Sequence, residues 1–119
     1  MNAKKNIKKI IIKKPLTLDC GKTINNYHLA YETYGVLNDK KDNAILVFHA
    51  LSGDQFVSGI NPITNKSGWW SYAVGPDKAI DTNKFFVICA NVIGGCMGSY
   101  GPNSIDPITT KTIGTNFQV

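Results

Sequence analysis

Two short apolar runs without alternation limit the possible folds of this chain most strongly. Ala44 to Phe48 reads AILVF, and Phe85 to Ala90 reads FFVICA. Unbroken apolar runs of this length are typical of strands covered on both faces, as in a parallel sheet. About 35 residues separate the two runs, which is enough for a crossover connection between parallel strands. The sequence therefore predicts an α/β arrangement around these two strands.

Two further segments upstream predict strands of another kind. Leu16 to Gly21 alternates apolar and polar residues and stops at glycine, and Tyr27 to Tyr34 alternates loosely before Gly35. Such alternation is typical of half-buried strands. Because the connection between them is short, we expect the two strands to be antiparallel. The predicted fold class is α/β, with an antiparallel strand pair leading into a parallel sheet.

The positive charge is concentrated at the start of the chain. Of the 119 residues, 43% are hydrophobic and 18% charged, and six of the thirteen lysines lie in the first fourteen positions. The seven remaining lysines are balanced by eight acidic residues. We predict a basic arm over residues 1–15 and one folded part over residues 16–119. A solvated arm is favoured over contact with nucleic acid or an anionic membrane, and no apolar stretch reaches the roughly 18 residues that span a bilayer.

The cysteine and arginine counts exclude several kinds of site. Cys20, Cys89 and Cys96 show no C-x-x-C spacing and are odd in number, which argues against a zinc site or a disulfide framework. Together with the lack of a signal-peptide pattern, this predicts a cytoplasmic location. The chain has no arginine, so no residue here can bind a carboxylate or phosphate in the bidentate manner of a guanidinium.

A polar turn, His49-Ala50-Leu51-Ser52-Gly53-Asp54, follows the first apolar run. A tight turn at the end of a buried strand can direct backbone N–H groups towards a developing oxyanion. In this interpretation His49 is structural, and its ring hydrogen-bonds neighbouring loops. Two alternatives remain: His49 is a general base, or it is a core histidine without a catalytic role. Ser52 lies in S-G-D and lacks the G-x-S-x-G context of a nucleophile elbow.

A glycine-rich segment, GGCMGSYG, follows the second apolar run. Its glycines at positions 94, 95, 98 and 101 match neither G-x-G-x-x-G nor a P-loop. Cys96 is either a nucleophile activated by nearby backbone donors or, as we favour, a small residue in a pocket wall. Glycines in such a segment let the backbone pass close to a substrate.

Taken together, these segments resemble homoserine O-acetyltransferase, an acyltransferase of the α/β-hydrolase fold. The resemblance runs from about Leu16 to Val119 and depends on AYETYG, HALSGD, the GWW…VGP…IDT segment and NVIGGCMGSYGP, in this order. Homoserine O-succinyltransferases and serine O-acetyltransferases of the same fold look alike in these regions. The acyl donor and acceptor therefore stay open at this point.

The resemblance implies ping-pong transfer of an acetyl group from acetyl-CoA, the co-substrate, to the homoserine hydroxyl, a step in methionine biosynthesis. It implies that the backbone N–H of Leu51 is one half of the oxyanion hole, and that Gly94, Gly95 and Cys96 line the substrate pocket. The serine, aspartate and histidine of the family's triad would lie beyond Val119. We therefore expect an N-terminal portion of the enzyme that is inactive and marginally stable alone, and that a complementary chain would complete.

Other functions are compatible with the same residues. The chain could belong to a hydrolase of this fold, in which water accepts the acyl group, or it could be a non-enzymatic relic or a small binding module that uses the basic arm. The resemblance implies no further cofactor and no metal. Strands that lose their neighbours leave an open apolar edge, so we expect such an edge here.

Overall fold

The computed structural model describes residues 7–114 and 117. Their regular structure consists of eight strands: β1 (Lys8–Ile12), β2 (Leu16–Thr17), β3 (Thr23–Ile24), β4 (Tyr27–Tyr34), β5 (Ala44–Val47), β6 (Val74–Gly75), β7 (Ile80–Asp81) and β8 (Phe86–Ala90). Four of them form the main sheet, in the order β1-β4-β8-β5. β1 and β8 both run antiparallel to β4, whereas β5 runs parallel to β8.

The predicted strands at Tyr27–Tyr34 and in the two apolar runs are confirmed, and β5 and β8 are parallel neighbours as expected. The connection between β5 and β8 consists of turns together with the short parallel pair β6 and β7. In it, the Trp69 and Trp70 rings stack with centroids 5.8 Å apart. No helix in the described ranges is long and apolar enough to cross a membrane.

The predicted partner of β4 is wrong. Leu16 and Thr17 pair with Thr23 and Ile24 in a separate small hairpin, because the chain turns at Gly21, which has φ +86°. The strand that pairs with β4 is β1, in the register Lys8 opposite Tyr31 to Ile12 opposite Tyr27. In the described part of the predicted arm, residues 8–12 are thus an edge strand and not a solvated tail.

The core lies on one face of the main sheet. Val47, Val87 and Cys89 from the sheet pack with Val57 and Val74 from the connection, and all five are buried. Strand alternation places Leu46 and Phe48 on the opposite face, where they are 58% and 82% exposed. β5 is also an edge strand. For β5, the expectation of a strand covered on both faces is therefore met on one face only. Among the described residues its outer edge is unpaired, as expected.

Candidate functional site

The polar turn stands at the carboxyl end of β5 and forms a tight corner. The Gly53 N–H donates to the Ala50 carbonyl oxygen at 2.7 Å, which places Leu51 and Ser52 at the two central positions of a β-turn. The Leu51 side chain is 95% exposed. Within residues 7–114 and 117, the Leu51 N–H donates to no acceptor, so ladder pairing does not occupy this amide.

His49 connects this turn to the residues that lead into the glycine-rich segment. Its Nδ1 lies 2.6 Å from the Ala50 carbonyl oxygen, and its Nε2 accepts from the Val92 N–H at 3.2 Å. A carbonyl partner on Nδ1 and an N–H partner on Nε2 require the neutral tautomer with the proton on Nδ1. The ring is buried and both nitrogens are occupied. This geometry favours the structural interpretation of His49 over the general base.

Asn91, the first residue after β8, is the second connection. Its side chain lies 3.3 Å from His49 Nε2, and its Oδ1 accepts from the Met97 N–H at 3.3 Å. Its backbone carbonyl accepts from the Ser99 hydroxyl at 2.6 Å. The side chain is packed so closely against Gly95 that a Cβ there would lie 2.5 Å from Asn91 Oδ1. Glycine at 95 is thus required for the close packing of the segment on Asn91.

Asp54 and Gln55 hold the other side of the turn. Asp54 Oδ1 accepts from the Phe56 N–H at 2.8 Å, and its carbonyl accepts from the Trp69 indole at 2.9 Å. Gln55 is fully buried and donates from Nε2 to the Met97 carbonyl at 2.9 Å. The turn and the glycine-rich segment are therefore joined by three side chains: His49, Asn91 and Gln55.

A hollow of about 390 Å³ lies between the turn and the glycine-rich segment. We call it the first hollow. Its lining includes all four residues that the resemblance singled out: Leu51, Gly94, Gly95 and Cys96. Gly94 has φ +85°, and a Cβ there would lie 3.1 Å from the Phe117 ring, another part of the lining. The structure therefore brings the four predicted residues together around one hollow.

The two thiols near the site differ in character. Cys89 is buried beneath the turn, and this burial raises the pKa of its thiol to about 11. It is protonated at neutral pH and unreactive. Cys96 is exposed at the wall of the first hollow. In the described ranges, no group of three or more His, Cys, Asp or Glu side chains is arranged to hold a metal ion.

Sequence reasoning missed Asn91, Gln55 and Ser99. The signal for Asn91 was available, because it follows a buried strand in the same way as His49 does. Gln55 and Ser99 have no such signal, since their burial depends on how two loops meet.

No family model matches the sequence. Among curated proteins, a homoserine O-acetyltransferase of Pelagibacter ubique (strain HTCC1062) is 76% identical over 119 residues, which is 100% of this chain and 32% of the relative. A homoserine O-succinyltransferase of Halothiobacillus neapolitanus (strain ATCC 23641 / c2) is 52% identical over 107 residues, 89% of this chain and 27% of the relative. The chain thus spans about a third of the length of the curated relatives it matches.

The chain also matches solved structures of related proteins. A homoserine O-acetyltransferase from Bacillus anthracis matches with a TM-score of 0.79 and 37% identity, over 94% of this chain and 31% of that one. An esterase matches with a TM-score of 0.76 and 35% identity, over 95% and 33%. These matches confirm the resemblance drawn from the sequence and the α/β-hydrolase fold class.

Proposed function

We propose that this polypeptide supplies one half of the oxyanion hole of a homoserine O-acetyltransferase. The proposal starts from the likeness of the whole chain to such enzymes. The observation that supports this most is the position of Leu51. Its N–H is at the exposed corner of a braced turn, beside a hollow walled by Gly94, Gly95 and Cys96.

In this proposal the Leu51 N–H stabilises the negative charge that develops on the acyl carbonyl oxygen. One such donor contributes roughly 2.7–4 kcal/mol to lowering the barrier. A second donor, and the serine, aspartate and histidine that form and resolve the acyl-enzyme, come from polypeptide that matches the rest of the relatives. Acetyl-CoA is the acyl donor and the homoserine hydroxyl the acceptor, in methionine biosynthesis. No metal takes part in this scheme.

The experiment is a hybrid enzyme. Residues 1–119 of this chain replace the matching residues of the Pelagibacter ubique relative, and coenzyme A release from acetyl-CoA is measured with and without homoserine. We expect homoserine-dependent turnover near that of the unmodified relative, and none from the 119-residue chain alone. A folded hybrid without turnover, or turnover by the isolated chain, would contradict the proposal.

A second function, an esterase of the same fold, has a specific observation in its favour, namely the esterase structure that matches this chain nearly as well. The two differ in the acceptor, which is water or an amino-acid hydroxyl. The hybrid distinguishes them poorly, because its acceptor pocket comes from the relative. A better test mixes the 119-residue chain with the remaining part of its own natural polypeptide. The mixture is then assayed with acetyl-CoA, succinyl-CoA and a simple acetyl ester.

A further inference from the structure

A second hollow, of about 310 Å³, adjoins the first along the Gly95–Met97 segment, and Leu51 is not part of its lining. The two hollows share Gly95, Cys96 and Met97 as a common wall. The second hollow is lined on its polar side by Lys9, His28, Asn103 and Ser104. None of its lining residues in the described ranges is acidic. The described lining therefore carries the positive charge of Lys9 and no negative charge, which suits an anion.

Lys9 supplies the charge. It lies opposite Ala30 in the β1–β4 ladder, so alternation places it on the same face as His28, two residues away on β4. Its side chain extends over the glycine-rich segment, because a Cβ on Gly98 would lie 3.5 Å from Lys9 Cε. Within residues 7–114 and 117, Lys9 forms no ion pair, whereas the neighbouring Lys8 is paired with Glu32 at 2.6 Å.

Two uncharged side chains add hydrogen-bond donors. The Ser104 hydroxyl oxygen accepts from the Gly101 N–H at 2.9 Å, and its own proton stays available for a ligand. The Asn103 amide has no hydrogen bond to the described residues. Ser99 is not a donor to this hollow, because its hydroxyl proton is used by the Asn91 carbonyl.

His28 is a neutral donor or acceptor beside this charge. Burial, together with the positive charge of Lys9, lowers the pKa of its imidazole. A bound anion would oppose the effect of Lys9 and raise that pKa. His28 therefore reports on whether the second hollow is occupied.

We infer that the second hollow is an oxyanion-binding site that takes a phosphate group, held by the Lys9 ammonium and by hydrogen bonds from Asn103 and Ser104. The chain has no arginine, whose planar guanidinium binds phosphate through two parallel hydrogen bonds. A lysine ammonium binds phosphate as a compact point charge instead. This inference does not depend on the proposed acyl transfer, since none of these three side chains lines the first hollow.

The test measures binding of radiolabelled inorganic phosphate by equilibrium dialysis at constant ionic strength. It uses the 119-residue chain and, in parallel, the hybrid enzyme, so that poor folding of the isolated chain does not decide the result. We expect saturable binding that Lys9→Gln weakens about tenfold or more, since a hydrogen bond to a charged group is lost. Lys8→Gln is the matched control, because it removes the same charge one residue away on the other face, and it should leave binding unchanged.

A second readout separates a site from general attraction to a basic strand. In proton NMR, phosphate should raise the pKa of His28 in the parent protein and in Lys8→Gln. Lys9→Gln should raise it without ligand and abolish the response to phosphate. Equal weakening by both substitutions, or an unchanged His28 titration at saturating phosphate, would overturn the inference. Competition by adenosine monophosphate that is stronger than by inorganic phosphate would identify a phosphate ester as the source, and equal or weaker competition would identify the free ion.

Discussion

At the scale of single residues, the candidate site depends on side chains that brace the backbone more than on side chains that react. His49, in the polar turn, is hydrogen-bonded to Asn91 and to the Val92 N–H. Asn91 and Gln55, which flank the turn in space and in sequence respectively, are each hydrogen-bonded to Met97 of the glycine-rich segment. A backbone donor stabilises charge effectively only when its direction is fixed before the reaction. The bracing side chains therefore matter through the position they give to the Leu51 amide.

The cysteines give a prediction at this scale. In the folded hybrid enzyme at pH 8, a thiol reagent should modify Cys96 rapidly, because that side chain is exposed. It should leave Cys89 unmodified until urea unfolds the protein, because burial raises the pKa of that thiol to about 11 and blocks access. Peptide mass spectrometry of labelled samples identifies each residue. Rapid modification of Cys89 under native conditions would show that the turn above it is not packed as described.

At the scale of elements, the sequence predicted what periodicity and turn chemistry determine locally. The two apolar runs and the Tyr27–Tyr34 strand were predicted correctly, because each has a distinct pattern and ends at a turn. The pairing of β4 with β1 was not predicted. β1, Lys8–Ile12, has three apolar residues next to two lysines and lies within a basic segment, so its sequence does not resemble a strand of the sheet. Which strand becomes the neighbour of another is decided by tertiary contacts that local patterns do not contain.

The candidate site was predictable to a similar extent. The residues around the first hollow were indicated by the resemblance, and His49 by its place at a strand end. The second hollow was not predicted, because it exists only where the edge strand β1 brings Lys9 over Gly98.

Gly35, at the end of β4, gives a prediction about how the elements connect. Gly35 has φ +79°, and a Cβ there would collide with the carbonyl oxygens of Phe85 and Thr82. Gly35→Ala should therefore lower the thermal unfolding midpoint of the hybrid enzyme strongly. Gly21→Ala is the matched control, since Gly21 has φ +86° with open space around it and should cost only about 1–2 kcal/mol for the left-handed backbone. Equal losses of unfolding midpoint from both substitutions would contradict the close packing of Gly35 against the Phe85 and Thr82 carbonyl oxygens.

At the scale of the whole molecule, the described residues leave the Leu46 face of the sheet and its β5 edge uncovered. Leu46 and Phe48 are exposed on that face, and β5 has an open edge. Large exposed apolar side chains at an open strand edge favour association with other polypeptide. This agrees with a chain that corresponds to about a third of its relatives.

This surface gives a prediction for the isolated chain. The 119-residue chain should self-associate in sedimentation experiments, and Leu46→Lys combined with Phe48→Lys should reduce this association, because charge is costly to bury in a strand contact. Val36→Lys is the control, because Val36 is 79% exposed in a loop outside the sheet and should have little effect. Association that persists unchanged in the double variant would show that this face does not mediate the self-association.

The most direct test of the oxyanion assignment is steady-state acetyl transfer by the hybrid enzyme with Leu51→Pro against Leu51→Ala. Both substitutions remove the same exposed side chain, and only proline also removes the backbone N–H; proline is accepted at this position of a β-turn. We predict that Leu51→Ala keeps most of the activity, while Leu51→Pro lowers kcat by about 10²–10³ with KM nearly unchanged and with an unaltered unfolding midpoint. Equal kcat values in the two folded variants would contradict the account.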